Sequence, residues 1–277
     1  MIDAFFTLDD VGRREALIPR DVAASQWGGA AKTMRGVAIS GVLAREAERL
    51  LGSLEGTETF HPARWTVDLF RPTAMEPVVA SAQVVRQGRR LCLIDAVLTQ
   101  HDRPVARASG MFLAPGGQSR GKTWSGDPAP SVPPEQLCSG ADLARLYFSD
   151  NVGWTTTPEK HINADRKQIW NFPISVVEGE LPTPFEHAAM LADLNNVVGN
   201  LGDAGVEYIN TDLTLALARK PGGDAIGLAA IHRVENDGIA VSTAVMYDRE
   251  GTVGSVTITA LANGAHAVDP RQLGTRY

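Results

Sequence analysis

The stretch Val105-Ala106-Arg107-Ala108-Ser109-Gly110-Met111-Phe112-Leu113-Ala114 lies over Val253-Gly254-Ser255-Val256-Thr257-Ile258-Thr259-Ala260-Leu261-Ala262 when the 277-residue chain is shifted by 148 positions. Both stretches read as long strands of β-branched and small residues. Within a residue, the same offset of 148 carries Arg71-Pro72 onto the Arg219-Lys220-Pro221 region, and Gly88 meets Gly238 at an offset of 150. Identity between the halves is low, so the repeat is one of organisation.

Working outward, Gly36 to Leu51 is rich in small and unbranched residues and reads as a helix. Strands follow at Trp65–Pro72, Val78–Arg86, Leu91–Gln100 and Val105–Leu113, with turns at Gln87-Gly88 and His101–Pro104 between them. The second half repeats the order. Pro184 to about Gly199 reads as a helix, and strands follow at Tyr208–Arg219, Ala225–His232, Ile239–Tyr247 and Val253–Leu261. Asn236-Asp237-Gly238 between β-branched runs is the strongest hairpin signal in the chain. Thr183-Pro184-Phe185-Glu186 is a capping box with proline at the first helical position. From Pro115 to Pro134, nine of twenty residues are Gly or Pro, which reads as an exposed connection. A helix followed by an antiparallel meander, twice, predicts an α+β fold. The expected division is 1–114, a linker over 115–140, and 141–277.

Composition narrows the function. Lys and Arg number 26 against 32 Asp and Glu, so the basic surplus of a nucleic-acid binder is missing. Two cysteines, Cys92 and Cys138, form neither a CxxC pair nor a disulfide framework, which favours a reducing compartment. Met1–Ala16 lacks the basic and apolar regions of a signal peptide. The longest apolar run, Val37–Ala44, is interrupted by Ser40 and Gly41 and falls far short of the ~20 residues that span a bilayer. A cytoplasmic protein with no membrane and no nucleic-acid partner is expected.

The motifs Val67-Asp68-Leu69-Phe70-Arg71-Pro72, Arg86-Gln87-Gly88-Arg89-Arg90, Ala192-Asp193-Leu194-Asn195, Asn210-Thr211-Asp212-Leu213-Thr214, Arg219-Lys220-Pro221 and Tyr247-Asp248-Arg249-Glu250-Gly251, in this order, resemble the double-hotdog acyl-CoA thioesterases of the type II-like group. The resemblance implies two tandem hotdog units, each a long helix wrapped by an antiparallel sheet, fused as a pseudo-dimer. It implies hydrolysis of an acyl-CoA thioester without a cofactor, by a water held among an Asp, a Ser or Thr, and a Gln of the second half. Asp193 falls on the family's Asp. Asn210 falls where the type II enzymes have Thr, and an amide can also donate and accept. Ile258 falls where they have Gln, and an aliphatic side chain can do neither.

Read as residues, Asp193 shares a helix face with Ala189, Met190, Asn196 and Val197, where desolvation raises a carboxylate toward general-base values. The alternative is a solvated helix Asp. Asn195 and Asn196 could orient the water or the thioester carbonyl, the alternative being polar surface residues, and Asn210 could simply close a loop. Thr257 and Thr259 flank Ile258, but alternation points them to the opposite face unless a bulge shifts the register. Gly36, at a helix start, offers main-chain amides to a carbonyl oxygen or a phosphate, or is simply permissive for the backbone. Arg71, Arg89, Arg90 and Arg219 are candidates for the phosphates of CoA.

Other motifs carry nothing. Gly117-Gln118-Ser119-Arg120-Gly121 matches G-x-S-x-G, but a nucleophile elbow needs a strand before it and a helix after it. The six histidines show no zinc spacing, so no metal site is expected. A hotdog hydratase would place a His close after the Asp, and no His follows Asp193 within six residues. The remaining alternative to an enzyme is a hotdog protein that binds acyl-CoA or an acyl group. Exposed sheet edges favour a homo-oligomer, a dimer in the simplest case.

Overall fold

A computed structural model of the chain describes residues 4–11, 14–25, 32–117, 120–126, 130–139 and 143–268. The first half contributes a hairpin, β1 (Ala4–Val11) and β2 (Arg14–Pro19), then helix α1 (Gly36–Gly52). An antiparallel meander follows: β3 (His61–Asp68), β4 (Val79–Gln87), β5 (Leu91–Gln100) and β6 (Arg103–Leu113). The second half opens with short strands β7 (Arg145–Ser149), β8 (Gly153–Thr155), β9 (Lys167–Asn171) and β10 (Ser175–Val177). Helices α2 (Pro184–Asp193) and α3 (Asn195–Asn200) come next. The chain then forms β11 (Leu201–Gly202), β12 (Gly205–Val206), β13 (Tyr208–Asn210), β14 (Asp212–Leu217), β15 (Ile226–Asn236), β16 (Ile239–Asp248) and β17 (Gly251–Ala262). The fold is α+β, and the order of helix then meander occurs twice, as the repeat requires.

One 12-stranded sheet runs in the order β4-β5-β6-β3-β14-β17-β16-β15-β9-β7-β8, with β13 also paired to β17. β3 and β14 meet antiparallel in its middle, with Thr66 opposite Thr214. These two positions differ by the offset of 148 found in the sequence, so Thr66 meets its own counterpart across the ladder.

Helices α1 and α2 pack together on the inner face of the sheet. Alternation on β5 sends Cys92, Ile94, Ala96 and Leu98 into the core they share. The helices approach closely because α1 presents small residues. A β-carbon on Gly41 would fall 2.7 Å from Met190 Cγ. The Ser40 hydroxyl donates to the carbonyl of Ala189 at 2.7 Å and accepts from Trp65 Nε1 at 3.2 Å. Phe185 of α2 meets Trp65 and Phe112 edge-on, at 5.4 and 5.7 Å between ring centroids, so the apolar core crosses from one half to the other.

Three features depart from the sequence reading. The expected single helix over 184–199 breaks at Leu194, where Asn195 turns its amide onto the strand carbonyls of Ser242 and Val256, at 3.1 and 3.2 Å. The expected strand Tyr208–Arg219 is interrupted at Thr211 and splits into β13 and β14. Strands β7 and β9, which the sequence reading did not mark as strands, extend the sheet beyond β15 and contribute to a second cluster around Trp170, Tyr247 and Leu146. In addition, β1 pairs in parallel with β10, Ala4 opposite Ser175, which ties the start of the described chain to its second half.

The Thr183–Glu186 capping box is formed, with Glu186 N donating to Thr183 Oγ1 at 3.0 Å and Thr183 N donating to Glu186 Oε2 at 3.1 Å. Among the described residues of 115–134 none lies in a helix or strand. Gln118 and Ser119 of the G-x-S-x-G match lie outside the described residues. Among the described residues no helix is long and apolar enough to cross a membrane.

Candidate active site

Helix α1 starts without a side-chain cap of its own. Arg35 stands at its N-cap, and its side chain offers no oxygen to the first amides. The acceptor comes from the other helix. Asp193, the last residue of α2, is buried, and its carboxylate faces the start of α1, where the Val37 amide favours its charged form. An anion at a helix N-terminus is favoured by the exposed amides and by the macrodipole. Gly36 makes the approach possible, because a β-carbon there would lie 2.2 Å from Asp193 Oδ1. Gly36 and Asp193, candidates on separate helices, are therefore brought into one site.

Asn210 completes it. Its Nδ2 donates to Asp193 Oδ1 at 2.8 Å. The sheet delivers this side chain through a bulge. Asn210 pairs with Ala260, whereas Thr214 pairs with Thr257, so one extra residue is inserted between them on the β13–β14 side. In the gap, Thr211 N donates to the carbonyl of Thr259 at 2.9 Å, and the Asp212 carboxylate takes Thr259 N at 2.8 Å. Leu213 and Leu215 face the core; plain alternation would turn Asn210 outward, and the bulge turns it inward beside Asp193. Burial raises the Asp193 carboxyl above the ordinary aspartate range, while Asn210, the positive charge of Arg35 and the Val37 amide pull it back. A carboxyl with those opposed influences suits a general base.

The remaining candidates are placed differently. Ile258 is fully buried in the core, opposite Ser242 of β16. Ser242 faces inward with it, and its hydroxyl donates to Asn195 Oδ1 at 3.4 Å. This Ser242–Asn195 pair was not readable as a unit, because its members are 47 residues apart. Thr257 faces the other way, its hydroxyl 3.1 Å from that of Thr243 on the outer face, since the bulge that would have turned it inward lies on the neighbouring strand instead. Asn195 and Asn196 are buried, against the surface alternative. Asn196 Nδ2 donates to the carbonyl of Tyr208 at 2.9 Å, and its Oδ1 accepts from Asn200 at 2.9 Å, so it fastens α3 to β13. Arg219 is engaged by Asp248, two contacts of 2.6 Å. Arg71 is exposed, donating to the carbonyl of Pro104 at 3.3 Å. It follows Phe70, which lines an open cavity of about 650 Å3 together with Asp68, Leu69, Arg107, Thr211 and Asp212. Asn210 immediately precedes this wall in sequence. Among the described residues no group of three or more His, Cys, Asp or Glu could hold a metal ion.

The profile of the acyl-CoA thioesterase N-terminal domain matches residues 23–113, and that of the acyl-CoA thioesterase C-terminal domain matches residues 126–262. The chain belongs to the acyl-CoA thioesterase family. No curated protein sequence matches it. Among solved structures it is similar to the tesB protein of Mycobacterium avium subs paratuberculosis, at 19% identity and a TM-score of 0.62 over 92% of this chain and 95% of that one. It is also similar to the acyl-CoA thioesterase II TesB2 of Mycobacterium marinum, at 14% identity and a TM-score of 0.59 over 86% and 95%. A hot dog fold protein of Alicyclobacillus acidocaldarius aligns at 15% identity and a TM-score of 0.59 over 92% and 95%. At these identities the likeness is one of fold, and the fold is the hot dog.

Proposed function

We propose that the protein hydrolyses an acyl-CoA thioester to a free acid and CoA, with Asp193 as the general base and Asn210 as its positioning partner. Water attacks the thioester carbonyl carbon, its proton passes to the Asp193 carboxylate, and the C–S bond breaks as the tetrahedral intermediate collapses. The proton then goes to the departing thiolate. The observation that carries this reading is the buried Asp193 carboxylate, held by Asn210 and packed against Gly36 at the start of α1. Amides of the first turn of α1 would receive the carbonyl oxygen. Arg71 and Arg107, beside the open cavity, are the candidates for the phosphates of CoA, and Asn196 acts by fastening α3 to β13. No cofactor takes part.

In this reading the chain is a pseudo-dimer of two hotdog units, 1–114 and 141–277, joined by 115–140 and working as a cytoplasmic homo-oligomer. The catalytic pair, Asp193 and Asn210, belongs to the second unit. The position 148 residues before Asp193 is Arg45, which is buried and held by Glu180 and Glu15.

Thioester hydrolysis, followed with a thiol reagent over short, long and aryl acyl-CoAs, tests the proposal. Asp193→Asn should keep the fold and lose on the order of 10²-fold or more in turnover. Unchanged turnover would remove Asp193 from the chemistry. A second reading, an acyl-CoA binder without turnover, is favoured by Ile258, which puts an aliphatic group where the family has an amide. Thermal stabilisation by acyl-CoA with no thiol release would support it.

A further inference from the structure

We propose that two copies of the chain associate through the free edge of β15, paired antiparallel about Val234. β9 covers only Ile226–Ala229 of this strand. Beyond that point β15 runs on to Asn236 with β16 on one side, and among the described residues no strand lies on the other. Residues Ile231–Asn236 are all exposed. A long, open edge is a template for another strand.

The turn fixes which main-chain groups are free. Asp237 and Gly238 form a two-residue loop with φ of 49° and 77°, so Asn236 and Ile239 flank it as a hydrogen-bonded pair. Counting back by two, Val234 and His232 also bond toward β16, and the N–H and C=O of Arg233 and Glu235 point off the edge. A symmetric partner must therefore place its own Arg233 or Glu235 opposite one of these. Setting Arg233 against Arg233, or Glu235 against Glu235, opposes like charges, which is unfavourable directly across a ladder. The third register sets Arg233 opposite the partner's Glu235, twice, with Val234 on the axis. It gives four main-chain hydrogen bonds and alternating charge.

The side chains are set for this register. Arg233 and Glu235 form an ion pair within one chain. Arg233 is further held by Asn200 Oδ1 at 3.0 Å and stands over the Tyr208 ring at 5.2 Å. On the outer face, Val234 is 53% exposed, and Ile239 and Leu261, directly paired across β16–β17, are 51% and 48% exposed. Pairing at Val234 would continue this apolar strip from one copy into the next. Both long free strands carry a bulge, β4 between Val84 and Arg86 and β15 between Ala230 and His232, and beyond its bulge β15 runs in regular register with β16 from His232 to Asn236.

Sedimentation equilibrium of the full chain should show a concentration-dependent dimer that weakens with salt. Glu235→Arg, which sets Arg against Arg, should shift it to monomer with the fold intact by circular dichroism, and Arg233→Glu with Glu235→Arg should restore the dimer. Hydrogen exchange of the wild type gives an independent reading: the Arg233 and Glu235 amides should be protected at high protein concentration and exchange freely on dilution. A wild type monomeric throughout, a dimer indifferent to Glu235→Arg, or a dimer broken by Val84→Lys in β4 would each overturn the proposal.

Discussion

The Asp193 carboxylate occupies the space that a side chain on Gly36 would need: a β-carbon there lies 2.2 Å from Oδ1, 2.6 Å from Cγ and 2.8 Å from Oδ2. Glycine is required by this close approach. Gly36→Ala separates two opposing effects. As a helix residue alanine is better by about 1 kcal/mol, so propensity alone predicts a stabilised protein. The contact predicts the reverse, because the added methyl must push the carboxylate away from the start of α1. We expect a lower Tm and a loss of turnover on the order of 10²-fold, the effect of displacing a reacting group by about an ångström. A variant both more stable and fully active would show that Asp193 does not depend on the α1 terminus.

Asn210 should act on the titration of Asp193 as well as on its position. Burial raises the Asp193 carboxyl, and the Asn210 amide lowers it by favouring the charged form. Asn210→Ala removes the lowering influence, so the carboxyl should rise further. The acid limb of the kcat/KM profile should move to higher pH, with the remaining activity recovered at alkaline pH. A purely structural Asn210 would lower activity with no movement of that limb.

The fold was legible because its signals are local and repeated. β5 lies at Leu91–Gln100 and α1 starts at Gly36, as read, and the 148-residue offset reappears as Thr66 opposite Thr214. Asp193 and Asn210 were legible as chemistry through the family resemblance. Their meeting was not, since it depends on a bulge at Thr211–Asp212 that backbone pairing reveals and residue type does not. The cap on α1 was hidden for the same reason: its acceptor comes from Asp193, 157 positions after Gly36. β10 escaped because it is three residues long and pairs with distant β1, while the local β1–β2 hairpin escaped because charged residues interrupt its apolar alternation.

The capping box at α2 predicts a pH dependence of stability. Burial raises the Glu186 carboxyl to about 7, with Glu48 and Glu180 adding to it and the Thr183 amide and Arg45 opposing. Folded Glu186 therefore keeps its proton where the unfolded chain has lost it. Its contribution is fully present below its ordinary pKa and is lost as pH rises through about 7. His161 and His187, both lowered to about 4 by burial, act in the other direction, their contribution falling away as pH drops from 6.5. Comparing wild type with Glu186→Gln isolates the carboxyl, since Gln retains a capping-box acceptor. The Tm of the Gln variant should rise relative to wild type between about pH 5 and about pH 8. Parallel Tm curves would place Glu186 at its ordinary pKa.

On the resemblance, Ile258 stands where the type II enzymes carry Gln, one of two positions, with Asn210, at which the expected polar set differs. It is fully buried opposite Ser242, whose hydroxyl meets Asn195 Oδ1. An amide at 258 would enter a core that already holds one hydroxyl and one carboxamide. Ile258→Gln therefore has partners for a hydrogen bond, and an amide that misses them costs about 1–3 kcal/mol. If Asp193 and Asn210 hold the water and lack only a donor on the neighbouring strand, the variant should turn over faster by roughly 10²–10³, the worth of one well-placed donor to developing charge. The wild type should be slow on ordinary fatty acyl-CoAs. A wild type already turning over near ~10 s⁻¹ would mean that another group supplies the donor, and Ser242→Ala would then be the variant that loses activity. A Gln variant that folds, binds acyl-CoA and gains no turnover would favour the binding protein over the enzyme.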